Sequence, residues 1–154
     1  MKKGWLVINA FIKMSKFGDV YDFFKAAATG RGISLEIKRT DELCAYHDAD
    51  MRMFGDHDFV IFWDKDLPLV YSLEKLGVRV YNSPKAIEIC DDKIKTACAL
   101  AENGVPMPDT VFAPMSYPGV GGVDPDFLGR VEKALGYPMV VKEACGSLGR
   151  QVYL

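Results

Sequence analysis

The chain has 154 residues, 49% of them hydrophobic and 26% charged, which suits one domain, or one domain plus part of another, with a buried core. Its formal net charge is −2, and acidic and basic residues are interspersed along the chain instead of forming blocks. This balance excludes the basic face that nucleic-acid binding requires.

Neither disulfides nor membrane spans are expected. The four cysteines form no Cys-x-x-Cys pair and lie in apolar or helical contexts, which is typical of reduced thiols; they are Cys44, Cys90, Cys98 and Cys145. The apolar run near the amino terminus contains Asn9, ends at Lys13 and lacks a small-residue cleavage site, so it is interpreted as a buried strand and not as a signal peptide. No apolar run reaches the roughly 20 residues of a transmembrane helix. The sequence therefore predicts a cytoplasmic protein with no membrane partner.

The first half of the chain alternates strands and helices. Apolar runs predict four strands, at 5–11, 33–37, 59–63 and 78–81. Between them, two helices are predicted from apolar residues at helical spacing: Val20, Phe23, Phe24 and Ala27, then Leu69, Val70, Leu73 and Leu76 before Gly77. Residues 40–43 resemble a helix start, and 44–58 have no assignable pattern. This order predicts an α/β fold with a Rossmann-like parallel sheet that binds ligands at the carboxyl ends of its strands.

Three groups in this half receive specific interpretations. Asp64 follows the third strand at the predicted carboxyl edge, so it is a candidate substrate contact, although aspartates that follow strands also cap turns. His57 lies between two aspartates, a pattern that fits a turn better than a metal site. The aromatic residues around the first helix are predicted to be buried in the core: Phe17, Phe23 and Phe24.

The second half opens with two helix starts. Ser83 and Pro84 predict a capped helix, and the stretch 91–96 opens another helix that ends at Asn103-Gly104. The apolar face of this second helix is predicted to hold Ile94, Ala97, Cys98 and Ala101. Lys93 falls in its first turn, where a cation opposes the helix dipole. Either the preceding aspartates neutralise Lys93, or an anion binds nearby.

Prolines and glycines dominate residues 105–125, apart from a short strand predicted at 110–113, and a last helix is predicted at 127–135. The chain then shows strand character at 139–141 and 152–154, with Lys142 and the run Gly146-Ser-Leu-Gly149 between them. Glycines let backbone N–H groups approach an anion, and Lys142 adds a positive charge. The pattern is compatible with a phosphate-binding loop and also with an ordinary hairpin turn.

Taken in order, five motifs resemble the ATP-grasp superfamily, and within it the RimK-type amino-acid ligases. They are Asn82-Ser-Pro, Asp92-Lys93 before a helix, Gly104-Val-Pro-Met-Pro-Asp-Thr110, Gly136-Tyr-Pro-Met-Val-Val-Lys142 and Gly146-Ser-Leu-Gly149. The resemblance covers essentially the whole chain. It implies a pre-ATP-grasp, Rossmann-like domain at 1–84 and, at 85–154, the amino-terminal part of a truncated α+β ATP-grasp domain.

The resemblance also implies a function and a binding site. Such enzymes join a small-molecule or peptide carboxylate to an amine, for example that of glutamate, through an acyl-phosphate, with ATP and magnesium ions. The residues expected to contact ATP are Lys93, Lys142, Gly146, Ser147, Leu148, Gly149 and Gln151. Gln151 departs from the family, which commonly has a further glycine at this position. The magnesium ligands and the adenine-pocket strand are expected beyond Leu154, so the 154 residues alone are predicted to lack ligase activity.

Other functions remain open at this point. The chain can be a truncated relative that binds nucleotide or a protein partner without catalysis. A receiver-like domain with Asp64 as phosphoryl acceptor is disfavoured, because Asn9-Ala-Phe supplies no acidic pair after the first strand. An exposed final strand can pair with a second copy, which makes a homodimer an option.

Overall fold

The computed structural model describes residues 1–13, 16–43, 57–117, 119, 121–122, 124–146, 149 and 151–154. The stretch without a predicted pattern therefore lies mostly outside the described residues. The chain divides into two compact units, Met1–Glu88 and Ile89–Leu154, here called unit 1 and unit 2. Among the described residues, no helix combines the length and apolar character needed to cross a membrane.

Unit 1 is built on a four-stranded parallel sheet. Its strands are β1 (Lys2–Ile8), β2 (Ile33–Arg39), β3 (Phe59–Trp63) and β4 (Val80–Tyr81), in the spatial order β2-β1-β3-β4. Helix α1 (Gly18–Thr29) connects β1 to β2, and α2 (Leu67–Lys75) connects β3 to β4. Ile8 lies opposite both Arg39 and Trp63, so β1, β2 and β3 end at the same edge. The predicted α/β fold with a parallel sheet is confirmed.

The two faces of β1 belong to two separate cores. Trp5 and Val7 lie in one cluster with α2, whereas Leu6 and Ile8 lie in the other with Tyr21 of α1. Because neighbouring side chains of a strand point to opposite faces, a strand covered on both sides must be apolar throughout. This explains the continuous apolar run at the start of the chain.

The end of β1 differs from its prediction. The strand stops at Ile8 instead of continuing to Phe11, whose side chain is 91% exposed. The Asn9 side-chain oxygen accepts hydrogen bonds from the backbone N–H groups of Phe11 (2.8 Å) and Ile12 (3.1 Å). These bonds turn the chain away from the sheet, as asparagine side chains do in Asx turns.

The buried face of α1 also differs from its prediction. Phe23 is 70% exposed, so its assignment to the core is wrong. The residue buried in its place is Tyr21, and the partly buried residues Phe17, Phe24 and Ala28 extend the same stripe. The stripe therefore advances by four, three and four residues, the spacing of one helix face.

Local signals correctly located the next elements. Phe59–Trp63 forms β3 as predicted, and residues 40–43 form a 3-10 helix. Helix α2 is followed by Gly77 with φ of 81°, a left-handed conformation that favours glycine. Helix α3 (Pro84–Asp91) begins after Ser83, whose hydroxyl accepts a hydrogen bond from the N–H of Ala86 at 3.2 Å.

Unit 2 contains two helices and a small hairpin. They are α4 (Lys93–Glu102), α5 (Pro125–Leu135), and the antiparallel strands β5 (Val141–Lys142) and β6 (Val152–Tyr153). Asn103 follows the last residue of α4 and Gly104 has φ of 65°, as the predicted stop requires. The strand predicted at 110–113 is wrong: these residues pair with no strand, and Val111 and Phe112 are exposed. Strand propensity alone does not make a strand without a neighbour to pair with.

Candidate functional site

The predicted phosphate loop of unit 2 connects the two strands of the hairpin. Val141 lies opposite Tyr153 and Lys142 opposite Val152, and the Glu143 N–H continues the ladder to the Gln151 carbonyl at 3.1 Å. The hairpin is therefore closed by backbone hydrogen bonds as far as Glu143 and Gln151. Ser147 and Leu148, two of the predicted contacts, lie outside the described residues.

Lys93 attaches the start of α4 to this loop. Its backbone N–H donates to the Ala144 carbonyl at 2.8 Å, and Asp92 forms an antiparallel bridge with Cys145. Its ammonium group lies 3.5 Å from the Ala144 carbonyl oxygen and 3.2 Å from that of Gly146. The positive charge of Lys93 is thus directed at the backbone of the loop, 53 residues further along the chain.

Asp92 does not neutralise Lys93, because its carboxylate caps α4. One carboxylate oxygen accepts from the N–H of Ile94 at 2.8 Å and from that of Lys95 at 3.1 Å. The Lys93 N–H is already bonded to Ala144, and the Thr96 N–H bonds to the Asp92 carbonyl at 2.9 Å. The N–H groups that a helix start normally leaves unpaired are therefore all used. An anion at this site must bind to ammonium groups and to loop N–H groups.

Lys142 is an available cation among the described residues of the hairpin. It is exposed on β5 and makes no hydrogen bond or ion pair with the part of the chain that is described. Lys142 is two positions before Ala144, which Lys93 contacts. The two predicted lysines thus belong to one assembly of loop and helix start, and among the described residues only Lys93 has protein partners there.

Gly146 and Gly149 shape the loop. Their φ angles are 144° and 69°, which a side chain other than hydrogen strains. A methyl group on Gly146 would also overlap the carboxamide of Gln151. Gln151 therefore packs against Gly146, and this contact requires that Gly146 have no side chain.

The described part of the loop offers no cluster of magnesium ligands. In the described ranges, no three His, Cys, Asp or Glu side chains converge on a point where they could hold a metal ion. His57, the weaker metal candidate, instead lies 3.5 Å from the Glu36 carboxylate, with its ring 4.5 Å from that of Trp5.

The carboxyl edge of the sheet in unit 1 forms a second polar region. The Asn9 amide group donates to the two Asp64 carboxylate oxygens at 3.0 and 3.3 Å, and the Lys65 N–H donates to Asp64 at 2.7 Å. Asp66, two residues further on, caps α2 by accepting from the Leu69 N–H at 3.0 Å. Of the two aspartates after β3, only Asp64 lies beside another strand end.

The end of β2 is attached to the same edge. The Thr40 hydroxyl accepts from the Ala10 N–H at 3.0 Å, and the Arg39 guanidinium donates to the Ala10 carbonyl at 3.1 Å. Arg39 also forms an ion pair with Asp41 at 2.8 Å, so the guanidinium charge already has a carboxylate partner. These contacts hold the backbone after β1 between β2 and β3.

Tyr21 lies beneath this edge. It is 3% exposed, and burial together with the nearby Asp64 carboxylate raises its pKa above the ordinary value. The sequence interpretation missed both Tyr21 and Asn9. Asn9 could have been identified because it directly follows the first strand at the predicted ligand edge.

Three solved structures share this fold. A D-alanine–D-alanine ligase from Bacillus anthracis matches 99% of this chain with a TM-score of 0.67 and 18% identity, over 49% of its own length. A RimK domain ATP-grasp protein from Sphaerobacter thermophilus matches 97% of this chain at 0.67 and 16% identity, over 52% of its length. A carboxyaminoimidazole ribonucleotide synthase from Aspergillus clavatus, solved with ATP, matches 99% at 0.59 and 16% identity, over 40% of its length.

Curated relatives match by sequence. N-acetylaspartylglutamate synthase A of Homo sapiens is 44% identical over 93 residues, which are 59% of this chain and 22% of the relative. The glutamate–LysW ligase ArgX of Sulfolobus acidocaldarius is 35% identical over 82 residues, 53% of this chain and 26% of the relative. By sequence and by fold, the chain is thus similar to ATP-grasp proteins of the RimK-like branch. No family model matches the chain, and the match spans about a quarter or less of the length of these two relatives.

Proposed function

We propose that this ATP-grasp chain is the amino-terminal portion of an ATP-dependent carboxylate–amine ligase that attaches an amino acid such as glutamate. The names of both sequence relatives include glutamate, and the structural neighbours include a second amino-acid ligase. ATP use is supported by the family and by the neighbour solved with ATP. The chain spans about half the length of two of the solved structures, which supports a larger enzyme as the catalytic unit.

The observation that carries the proposal is the available Lys142 ammonium beside a glycine loop that Lys93 holds. Two ammonium groups and loop N–H groups suit the oxygens of a triphosphate. When bound, ATP supplies the phosphoryl group that activates the carboxylate. In this proposal Lys93 orients the loop and Lys142 binds a phosphate oxygen, while Gly146 and Gly149 let the backbone approach.

Magnesium is part of the proposal for the whole enzyme and not for the described residues. These residues offer no convergent set of ligands for it, so the ligands are expected from elsewhere in the enzyme. The proposed setting is the cytoplasm, and a homodimer through the free edge of β6 also stays a prediction.

Lys142→Met tests the phosphate contact without disturbing the loop, because Lys142 has no partner among the described residues. Loss of a charge-assisted hydrogen bond predicts an ATP affinity weaker by about tenfold or more. Lys133→Met, at an exposed position on α5, is the matched control and should leave the affinity unchanged.

Isothermal titration of the purified chain with ATP measures both variants. The same sample should release no ADP in the presence of glutamate and a carboxylate, because its described residues offer no convergent set of magnesium ligands. Equal ATP affinity for Lys142→Met and the original chain would contradict the proposed site. ADP release that depends on Lys142 would contradict the predicted inactivity of the 154 residues.

A further inference from the structure

Unit 1 contains a groove that the proposed phosphate site does not explain. Its volume is about 550 Å³, within the roughly 300–1,000 Å³ typical of small-molecule sites. Every described residue that lines it belongs to unit 1. Aromatic residues of α1, β3 and β4 are prominent in the lining, among them Phe24, Phe59, Trp63 and Tyr81. A groove of this size with an aromatic lining is a candidate ligand site.

The topology of the sheet leaves this groove open. Helix α1 packs on the face of the sheet that carries Leu6 and Ile8, whereas α2 and α3 contribute buried residues to the cluster on the opposite face. Since α2 is the connection from β3 to β4, no described helix of unit 1 other than α1 packs on the first face. Apolar side chains that β3 and β4 present there are therefore partly exposed, Trp63 by 44% and Tyr81 by 52%.

Packing holds the aromatic side chains of the groove in place. The Phe24 and Trp63 rings meet edge to face with their centroids 5.2 Å apart, and the Phe59 and Tyr81 rings do so at 6.3 Å. A methyl group on Gly4 would overlap the Phe59 ring, so this ring lies directly against the backbone of β1. Aromatic rings attract other rings in edge-to-face and offset stacked arrangements, beyond the effect of burial. The groove therefore favours a ligand with an aromatic ring.

Two cations lie at the end of the groove where the strands begin. Lys2 is the first residue of β1 and Arg79 directly precedes β4, and both line the groove. Neither forms an ion pair with another described residue. The Asp58 carboxylate also lines this end and accepts a hydrogen bond from the Lys3 N–H at 2.7 Å. Two cations and one carboxylate leave one net positive charge, which suits a ligand with a single negative charge.

The length of β3 sets the length of the ligand. From Phe59 at the cationic end to Trp63 at the other end, the strand extends about 13 Å at about 3.3 Å per residue. A phenyl ring joined to a carboxylate by a short chain fits within this length, and its carboxylate can form charge-assisted hydrogen bonds with lysine and arginine. A second copy of the chain fits less well, because a two-fold contact would bring like net charges together.

We propose that the groove between α1, β3 and β4 binds an aromatic carboxylic acid, with its carboxylate at Lys2 and Arg79 and its ring against Trp63 and Tyr81. The site goes beyond the proposed ligase function and does not rest on it, since none of its described residues belongs to the loop assembly of unit 2.

Nuclear magnetic resonance titration of the whole chain with 4-phenylbutyrate tests the site. The compound should shift the indole N–H signal of Trp63 and the backbone amide signal of Tyr81. It should leave the amide signals of Lys93 and Glu143, in the loop assembly of unit 2, in place. Shifts at the loop signals instead, or no shift at Trp63 and Tyr81, would overturn the proposal.

Two analogues separate the charge of the ligand from its ring. 4-Phenylbutanamide has nearly the same shape without the charge, and hexanoate has the charge without the ring. Each should bind at least about fivefold more weakly than 4-phenylbutyrate, because one loses the charge-assisted hydrogen bonds and the other the ring contacts. Equal affinity for 4-phenylbutyrate and either analogue would contradict an aromatic acid as the ligand.

Charge variants test the two cations. Arg79→Gln should weaken 4-phenylbutyrate binding by about fivefold or more and Lys2→Gln by about threefold, since a guanidinium can bind a carboxylate through two hydrogen bonds. Lys3→Gln is the matched control, because Lys3 is an exposed neighbour whose side chain points to the opposite face of β1. Unchanged affinity in both Arg79→Gln and Lys2→Gln would refute the site. Should a variant fail to fold, the comparison of acid and amide on the original chain still decides the outcome.

Dilution of the chain without ligand tests the other occupant. The Trp63 and Tyr81 signals should not depend on protein concentration. A concentration-dependent shift of these signals, together with a dimer in light scattering, would place a second copy in the groove and overturn the proposal.

Discussion

Unit 1 and unit 2 are each stabilised by a different kind of interaction. Unit 1 has apolar clusters on both faces of its sheet, including side chains that are fully buried. Among the described residues of unit 2, Ala97 is the one that is buried, and none of α5 is. Unit 2 instead relies on the Asp92 cap, the Lys93 contacts with loop carbonyls and the glycine geometry of the hairpin.

The contrast indicates where stability and binding reside. Apolar burial is the main favourable term in folding, so unit 1 should carry most of the free energy of unfolding. Regions with few buried apolar contacts open at lower free-energy cost, and mobile ligand-binding segments come from such regions.

The largest expected difference is in the free energy of unfolding when a leucine in each unit is replaced by alanine. Leu73 is buried in the α2 cluster, so Leu73→Ala should lower the free energy of unfolding by about 2–5 kcal/mol. Leu128 is exposed on α5, and Leu128→Ala should change it by less than about 0.5 kcal/mol. Urea unfolding measures both: tryptophan fluorescence follows unit 1, which holds Trp5 and Trp63, and amide hydrogen exchange follows the helix that holds Leu128. Similar costs for the two variants would contradict the contrast.

A smaller loss of stability is expected when Gly146 of the hairpin is replaced by alanine. Gly146→Ala forces a side chain into a conformation that costs about 1–3 kcal/mol and against the Gln151 carboxamide. The Glu143 amide hydrogen, which closes the hairpin, should then exchange faster. Adding Gln151→Ala should restore part of the protection by removing the overlap.

Gly129→Ala is the matched control for this experiment. Gly129 lies within α5 with open space around it, so alanine should stabilise that helix by up to about 1 kcal/mol. A Gly146→Ala variant with unchanged Glu143 exchange would show that the hairpin tolerates the side chain.

The smallest effect concerns an ion pair in unit 1. A hydrogen bond from Lys38 at 2.8 Å lowers the pKa of Glu36, which also faces His57. A carboxyl with a lowered pKa stabilises the fold above its unfolded pKa and loses this effect as pH falls through the folded value. Glu36→Gln should therefore cost less than about 1 kcal/mol at pH 7, since both side chains are partly exposed.

The pH dependence of unfolding tests whether Glu36 stabilises the fold through its charge. The difference between Glu36→Gln and the original chain should shrink as pH falls below the ordinary glutamate value of about 4.3. Glu132→Gln on exposed α5 is the control, with no expected change in unfolding at either pH. A difference that persists in acid would assign the loss to packing instead of charge.

Local interactions made much of the fold predictable. The strand Phe59–Trp63, the cap at Ser83 and the stop at Asn103-Gly104 follow from residues within a few positions of one another. The lysines and glycines of the loop were likewise recognisable from their order along the chain. The partners of the lysine charges were not predictable from the sequence, because Lys93 contacts carbonyl oxygens more than 50 residues away.

What the sequence by itself determined is the set of segments, their order and the resemblance to ATP-grasp proteins, because periodicity, caps and motif order are local properties. Only the tertiary structure decided where β1 ends, which aromatic residue of α1 is buried and whether 110–113 forms a strand. The Asn9 side chain donates a hydrogen bond to Asp64, 55 residues away in the chain. Tyr21 is buried against β1 and β2, and no described strand lies beside 110–113. Each outcome depends on a partner distant in the chain, which local pattern cannot specify.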